Sequence, residues 1–200
     1  AIGVVSSPDG AMFTKWAAIP AITWIPNSEG EEGAVSGAAA LDETGEIVFY
    51  YGANTALTAT AVNADGRLAT SADGLDFTDR GIVLDHRDPS VWGYGDELFP
   101  VIAFHDAGQW FVYYLPNGTP QSRKLGAAWG NGRDDLAYSS GAVSGGSAIS
   151  AWGMGGSARI GSDTYALFLN DVSKRQTEVR TVSLSAPNQL SAPVETYQFD

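Results

Sequence analysis

The run Trp110-Phe111-Val112-Tyr113-Tyr114 is apolar or aromatic at every position. Two similar runs occur in the chain, at Ile47-Val48-Phe49-Tyr50-Tyr51 and at Tyr165-Ala166-Leu167-Phe168-Leu169. Successive side chains of a strand point to opposite faces of its sheet, so a strand of this kind must be buried on both faces. Each run is therefore predicted to be a central strand that lies between two neighbouring sheets.

Turn signals surround these runs in a fixed order. A short polar or Gly-containing turn precedes each run, at 42–45, 105–108 and 161–164. Tight turns of the type that suits a hairpin alternate with the runs, because Asp-Gly and Asn-Gly tolerate positive φ. They are Asp9-Gly10, Asp73-Gly74 and Asn131-Gly132. The repeating unit is thus strand, turn, aromatic strand, loop, strand, tight turn and strand.

A strand-only unit that returns every 40 to 60 residues or so predicts a β-propeller. A β-sandwich also has short strands, but it does not predict the same ordered motifs at a near-constant interval. Two hundred residues hold roughly three blades and pieces of others. We therefore expect one all-β propeller domain over residues 1–200, with an incomplete ring and a first blade truncated at the N-terminus. The chain starts at Ala1 in a strand-like run without a signal-peptide pattern, and we expect a segment upstream of it.

Composition limits the classes of partner. The chain has 23 acidic against 11 basic residues and a net charge of −12, which disfavours nucleic acid. No apolar run has the length of a membrane span. Without cysteine there are no disulfides or thiolate metal sites, and the two histidines are far apart in sequence, so we expect no metal and no cofactor. The acidic, lysine-poor composition is a hint of an extracellular or periplasmic protein.

The tripeptide Arg87-Asp88-Pro89 is the first candidate for chemistry. Asp88 can accept hydrogen bonds from sugar hydroxyls, and the Arg87 guanidinium donates in a fixed fork. Pro89 fixes the direction of the backbone. We expect the tripeptide where a strand begins, at the inner edge of a blade. The alternative is structural, because Asp-Pro is also an ordinary turn opener.

The order of these motifs resembles the five-bladed propeller glycoside hydrolases, and most closely the β-fructosidases of glycoside hydrolase family 32. The likeness covers about residues 2 to 130 and depends on collinear pieces rather than on any single match. These pieces are Ser36-Gly37, Tyr50-Tyr51-Gly52, the Thr70 to Gly74 segment and Arg87-Asp88-Pro89.

The resemblance implies an axial funnel with three carboxylates, which act as nucleophile, transition-state stabiliser and acid. Asp88 takes the stabilising position, and Arg87, Ser36 and Gly37 bind substrate beside it. The segment with the family's nucleophile lies upstream of the first counterpart and is not in this chain. Glu97 is the plausible substitute for the acid, because it directly precedes an apolar strand whose burial would raise its pKa.

Tryptophans are the remaining candidates for substrate binding. Trp24 and Trp92 could stack on sugar faces, although a propeller also needs tryptophans between its blades. If the chain is active, the resemblance implies retaining hydrolysis of O-glycosyl bonds in β-fructosides or related glycans. The alternative is a propeller that binds carbohydrate, or serves as a scaffold, without catalysis. In either case the partner is an oligo- or polysaccharide, and a missing segment or another chain could close the ring.

Overall fold

The computed structural model describes residues 5–6, 12, 14–15, 33–58, 61–117, 124–145, 155–171 and 174–199. These residues form strands and turns, and none of them is helical. In this part of the chain, no helix is long and apolar enough to cross a membrane. The strands are β1 (Val5–Ser6), β2 (Thr14–Lys15), β3 (Gly33–Leu41), β4 (Ile47–Thr58), β5 (Ala61–Ser71), β6 (Thr78–Leu84), β7 (Glu97–Asp106), β8 (Gln109–Asn117), β9 (Gly126–Gly130), β10 (Ala137–Tyr138), β11 (Gly156–Arg159), β12 (Thr164–Asp171), β13 (Gln176–Ser183) and β14 (Glu195–Gln198).

Three four-stranded antiparallel sheets make up the described fold, and each is a meander in chain order. The first blade is β3-β4-β5-β6, the second is β7-β8-β9-β10 and the third is β11-β12-β13-β14. A two-stranded sheet, β1-β2, precedes them. Strand β7 contacts β3, β4 and β5 of the first blade and β11 of the third. The blades therefore stand side by side around their first strands, which is the packing of a propeller.

The described blades form an arc rather than a closed ring. Among the residues that the structure describes, no strand of the first blade pairs with a strand of the third. The second blade lies between the other two, and each of its faces contributes to a separate hydrophobic cluster. The predicted all-β propeller with an incomplete ring is confirmed.

The three aromatic runs occupy equivalent positions, because β4, β8 and β12 are each the second strand of a blade. Strand β8 shows why its sequence is apolar throughout. Its odd-numbered side chains pack against the third blade and its even-numbered ones against the first. The two sets are Phe111, Tyr113 and Leu115, and Trp110, Val112 and Tyr114. The prediction that both faces of this strand are buried is confirmed.

Tyrosine hydroxyls link neighbouring blades through this core. The Tyr50 hydroxyl of the first blade donates to the carbonyl of Arg133 in the second, at 2.8 Å. The Tyr113 hydroxyl of the second blade donates to the carbonyl of Pro187 beside the third, at 2.9 Å. Both rings are fully or almost fully buried. A buried hydroxyl needs such a partner, since an unsatisfied one costs about 1–3 kcal/mol.

The Asp73-Gly74 turn forms as its sequence predicts. Asp73 Oδ1 accepts hydrogen bonds from the backbone amides of Leu75 and Asp76, at 2.9 and 3.1 Å. Gly74 has a φ of 77°, which a residue with a side chain rarely adopts. Asn131-Gly132 lies between β9 and β10, but neither residue has the positive φ on which the prediction of a tight turn rested. Asp9-Gly10 lies outside the described residues.

Residues 85–96, which we call the crossover segment, connect the outermost strand of the first blade to the innermost strand of the second. Here one expectation is wrong, because Arg87-Asp88-Pro89 does not begin a strand: β6 ends at Leu84 and β7 begins at Glu97. The segment forms successive turns, in which the amides of Asp88 and Val91 donate to the carbonyls of Asp85 and Asp88. Proline has no amide to donate to a strand ladder, and local Asp side chains compete for the neighbouring amides.

Candidate functional site

The end of the second blade at which β7 begins carries the candidate site. Glu97, the first residue of β7, is paired in register with Asn117, the last residue of β8. In the first blade, Gly33 at the start of β3 is paired with Asn54, which lies within β4. The crossover segment enters β7 at this same point.

Glu97 lies in an environment that raises the pKa of its carboxyl group. It is 8% exposed, and burial raises the pKa of its carboxyl group. The neighbouring negative charge of Asp96 also raises this pKa, whereas a hydrogen bond from Asn117 lowers it. Asn117 Nδ2 donates to Glu97 Oε2 at 2.6 Å, which fixes the carboxyl plane. A carboxyl group with a raised pKa and a fixed orientation can donate a proton.

The Asp88 side chain is hydrogen-bonded within the crossover segment. Its Oδ1 accepts hydrogen bonds from the backbone amide and the hydroxyl of Ser90, both at 2.8 Å. Its charge also acts on the outer part of the second blade: after burial, the negative charges of Asp88 and Asp85 raise the pKa of Tyr138, which lies in β10, the outermost strand. This position favours the turn-forming alternative for Asp88.

Arg87 is exposed and bonds within the same turn. Its Nε donates to Asp85 Oδ1 at 2.9 Å, with 51% of the Arg87 side chain accessible. An exposed ion pair of this kind contributes about 0–1 kcal/mol to stability. Arg87 therefore has a local partner, Asp85, within the turn.

The other predicted binding residues have different placements. Trp92 is half-buried and packs against the cluster between the first and second blades. Ser36 lies in β3 at a register irregularity between Val35 and Gly37. Trp24 lies outside the described residues.

Gly37 has a structural reason for its identity. A Cβ atom there would overlap the carbonyl oxygen of Tyr50 and stand 2.6 Å from Phe49 Cζ. Glycine at this position is thus explained by the close approach of β3 and β4.

One buried polar pair escaped the sequence reasoning. Asp65 of β5 is fully buried, and its Oδ1 accepts a hydrogen bond from the backbone amide of His86 at 2.9 Å. The same oxygen lies 2.7 Å from His86 Nδ1. The one signal in the sequence is a charged residue at the centre of the strand Ala61–Ser71; its partner, 21 residues further on, could not be read from spacing.

Comparison with known proteins supports the fold and not a particular family. No family model matches the chain, and no curated protein matches it. Among solved structures, the chain is similar to one from work on the GH130 family of mannoside phosphorylases. That family is described as containing glycoside hydrolases that target β-1,2 mannosidic linkages in Candida mannan. That likeness has 19% identity and a TM-score of 0.62, and it covers 98% of this chain and 59% of that one.

Two further structures have similar folds. A glycosyl hydrolase from Bacteroides ovatus has 19% identity and a TM-score of 0.61, over 98% of this chain and 59% of its own. A GH43 enzyme from Xanthomonas citri in complex with xylotriose has 14% identity and a TM-score of 0.64, over 88% and 56%. The chain spans less than two thirds of each of these structures. The resemblance to propeller glycoside hydrolases is supported for the fold, whereas the likeness to family 32 in particular is not.

Proposed function

We propose that this chain carries the glycan site of a propeller glycoside hydrolase, with Glu97 as the proton donor. The observation that carries the proposal is the environment of Glu97. It is a largely buried carboxyl group with a raised pKa, and it stands at the start of the innermost strand of a blade. Protonation of a leaving oxygen requires such a group, and it typically contributes 10²–10⁴-fold to the rate.

The surroundings of Glu97 agree with this role. Asn117 bonds Oε2, and among the described residues no partner bonds Oε1. A sugar oxygen can therefore approach Oε1 while Asn117 holds the other oxygen. Trp92 lies in the crossover segment that leads to Glu97 and is only half-buried. The part of its ring that does not pack between the blades is the proposed stacking surface, because aromatic rings pack against the apolar faces of sugars.

A non-catalytic glycan-binding propeller is the second candidate, and one observation favours it. Hydrolysis uses two carboxyl groups, one on each side of the scissile bond. The carboxylates Asp65, Asp85 and Asp88 each already accept a hydrogen bond, from His86, Arg87 and Ser90 respectively. Under the hydrolase proposal, Asp88 accepts a substrate hydroxyl through Oδ2, because both Ser90 hydrogen bonds go to Oδ1.

The proposed substrate class is glycans in general. The similar structures are described with mannosidic linkages and with xylotriose, and others with galactan. These names concern those proteins, and β-fructosides, which the sequence resemblance implies, stay one candidate among several. Glycans of this kind are extracellular polymers, and secretion is part of the proposal.

The experiment that separates the two candidates uses Glu97→Gln with Glu43→Gln as the matched control. Glu43 is an exposed turn residue between β3 and β4, at the opposite end of the first blade from the start of β3. Both variants are compared with the parent chain on fructo-, manno-, xylo-, arabino- and galacto-oligosaccharides, by product release and by calorimetric binding.

Three results are distinguishable. The hydrolase is supported if Glu97→Gln lowers turnover about 10²–10⁴-fold and keeps glycan binding, while Glu43→Gln changes neither turnover nor binding. Binding without turnover, weakened by Trp92→Ala, supports the binding module. Neither binding nor turnover with any of these glycans, for a chain that folds, contradicts both.

A further inference from the structure

Asp65, Asp85 and His86 form a cluster that the proposed glycan site does not use. One potential ligand atom from each residue lies within 4.8 Å of the others. Asp65 comes from β5 of the first blade, and Asp85 and His86 begin the crossover segment. The cluster thus joins a rigid strand to the segment that leads to Glu97.

Asp65 carries the second, independent observation. The residue is fully buried, and its Oδ2 has no hydrogen-bond donor among the residues that the structure describes. Both bonds to its other oxygen come from His86, inside the cluster. A buried carboxylate oxygen without a partner is costly, and it marks a place where a cation or a water belongs.

The donor set indicates which cation. With neutral His86 the cluster has two negative charges, two carboxylates and one imidazole nitrogen. Ca²⁺ takes six to eight oxygen ligands, whereas a mixed nitrogen and oxygen set suits Zn²⁺ or Mn²⁺. The 2.7 Å between Asp65 Oδ1 and His86 Nδ1 is a hydrogen-bond distance, so Oδ2, which has no donor among the described residues, is the oxygen that Asp65 offers to a cation.

We propose that Asp65, His86 and Asp85 bind a divalent first-row cation that clamps the crossover segment to the first blade. Arg87 is the competing partner, because its Nε and Nη2 donate to the two oxygens of Asp85 at 2.9 and 3.4 Å. Asp85 Oδ1 already accepts from the backbone amide and Nε of Arg87, so Oδ2, whose contact with Nη2 is long, is the oxygen that can also bind the cation, because a carboxylate oxygen has two lone pairs. This proposal is independent of the glycan site.

The test uses the whole chain, freed of metal by a chelator and titrated with Mn²⁺ and separately with Zn²⁺. Asp85→Asn is the decisive variant, because Asp85 is 38% accessible and the change keeps its shape. Asp76→Asn, an exposed turn carboxylate of the same blade, is the control. Bound metal is counted by equilibrium dialysis, and pulsed EPR of bound Mn²⁺ detects a coordinated imidazole nitrogen.

The proposal predicts one equivalent of metal per chain, nitrogen coupling from His86 and a higher Tm with metal. Asp85→Asn should bind at least 10-fold more weakly, and Asp76→Asn should bind as the parent chain does. Asp65→Asn should also lose binding, and if it does not fold, Asp85→Asn and the nitrogen coupling decide. Less than one equivalent bound, equal affinity in Asp85→Asn, or bound Mn²⁺ without nitrogen coupling overturns it.

Discussion

Tyr113 links the second and third blades, and Tyr113→Phe tests that link by removing one oxygen atom. Its ring is 1% exposed, and its hydroxyl donates to the Pro187 carbonyl at 2.9 Å. Burial raises the pKa of this hydroxyl, so the group stays a neutral donor in ordinary buffers. The variant keeps the ring and its packing but leaves the carbonyl without its donor.

Two terms give the loss of stability expected for Tyr113→Phe. A net hydrogen bond contributes about 0.5–1.5 kcal/mol, and a buried acceptor left unsatisfied costs about 1–3 kcal/mol. We therefore expect Tyr113→Phe to lower the free energy of unfolding by about 1–3 kcal/mol. Tyr197→Phe is the control, because Tyr197 is 50% exposed, and it should change stability by less than about 0.5 kcal/mol.

Urea denaturation followed by tryptophan fluorescence measures both variants. The midpoint for Tyr113→Phe should fall while the slope m is unchanged, since the surface exposed on unfolding is the same. Equal midpoints for Tyr113→Phe and Tyr197→Phe would refute the packing of the second blade against the third.

The remaining predictions concern core packing, the β3–β4 contact and Glu97. Phe111 lies in the cluster between the second and third blades, so Phe111→Ala should lower the free energy of unfolding by about 3–5 kcal/mol. Phe168 is 36% exposed on the third blade, so Phe168→Ala should lower it by less. Calorimetry that ranks the two variants in the reverse order contradicts the assignment of Phe111 to the core. Gly37→Ala should cost about 1–3 kcal/mol through overpacking against Phe49 and Tyr50, and Gly141→Ala, with no atom within 4 Å of its Cβ, should be tolerated. Burial raises the pKa of Glu97 above its ordinary value of 4.5, so the protonated form is favoured on folding and this stabilisation is lost as the pH rises through the folded pKa. Glu97→Gln should therefore be more stable than the parent chain at pH 7 and gain less at pH 4; a gain that does not depend on pH would show that the carboxyl group is not desolvated.

The sequence predicted the parts of the fold that depend on local patterns. The run from Trp110 to Tyr114 must be buried on both faces whatever surrounds it, and Asp73-Gly74 forms its turn through bonds to Leu75 and Asp76. Neither needs a distant partner. Blade order and the equivalence of β4, β8 and β12 follow from such patterns once they repeat.

The site was harder to predict, because it depends on contacts between distant residues. Arg87-Asp88-Pro89 has the composition of an inner-strand site, yet the Ser90 amide and hydroxyl bind Asp88 locally. The burial of Glu97 was predicted from the apolar strand after it. Its partner Asn117 and the Asp65–His86 pair depend on strand register, which no short motif encodes.

The leaving-group dependence of Glu97→Gln tests the central proposal most directly. A proton donor matters when the departing oxygen is basic, and it matters little when the leaving group is already a stable anion. The parent chain and Glu97→Gln are compared on an oligosaccharide that the parent cleaves and on the 2,4-dinitrophenyl glycoside of the same sugar. The proposal predicts that kcat/KM falls about 10²–10⁴-fold on the oligosaccharide and stays within a few-fold on the dinitrophenyl glycoside. An equal fall on both substrates, or no fall on either, would contradict the assignment of Glu97 as the proton donor.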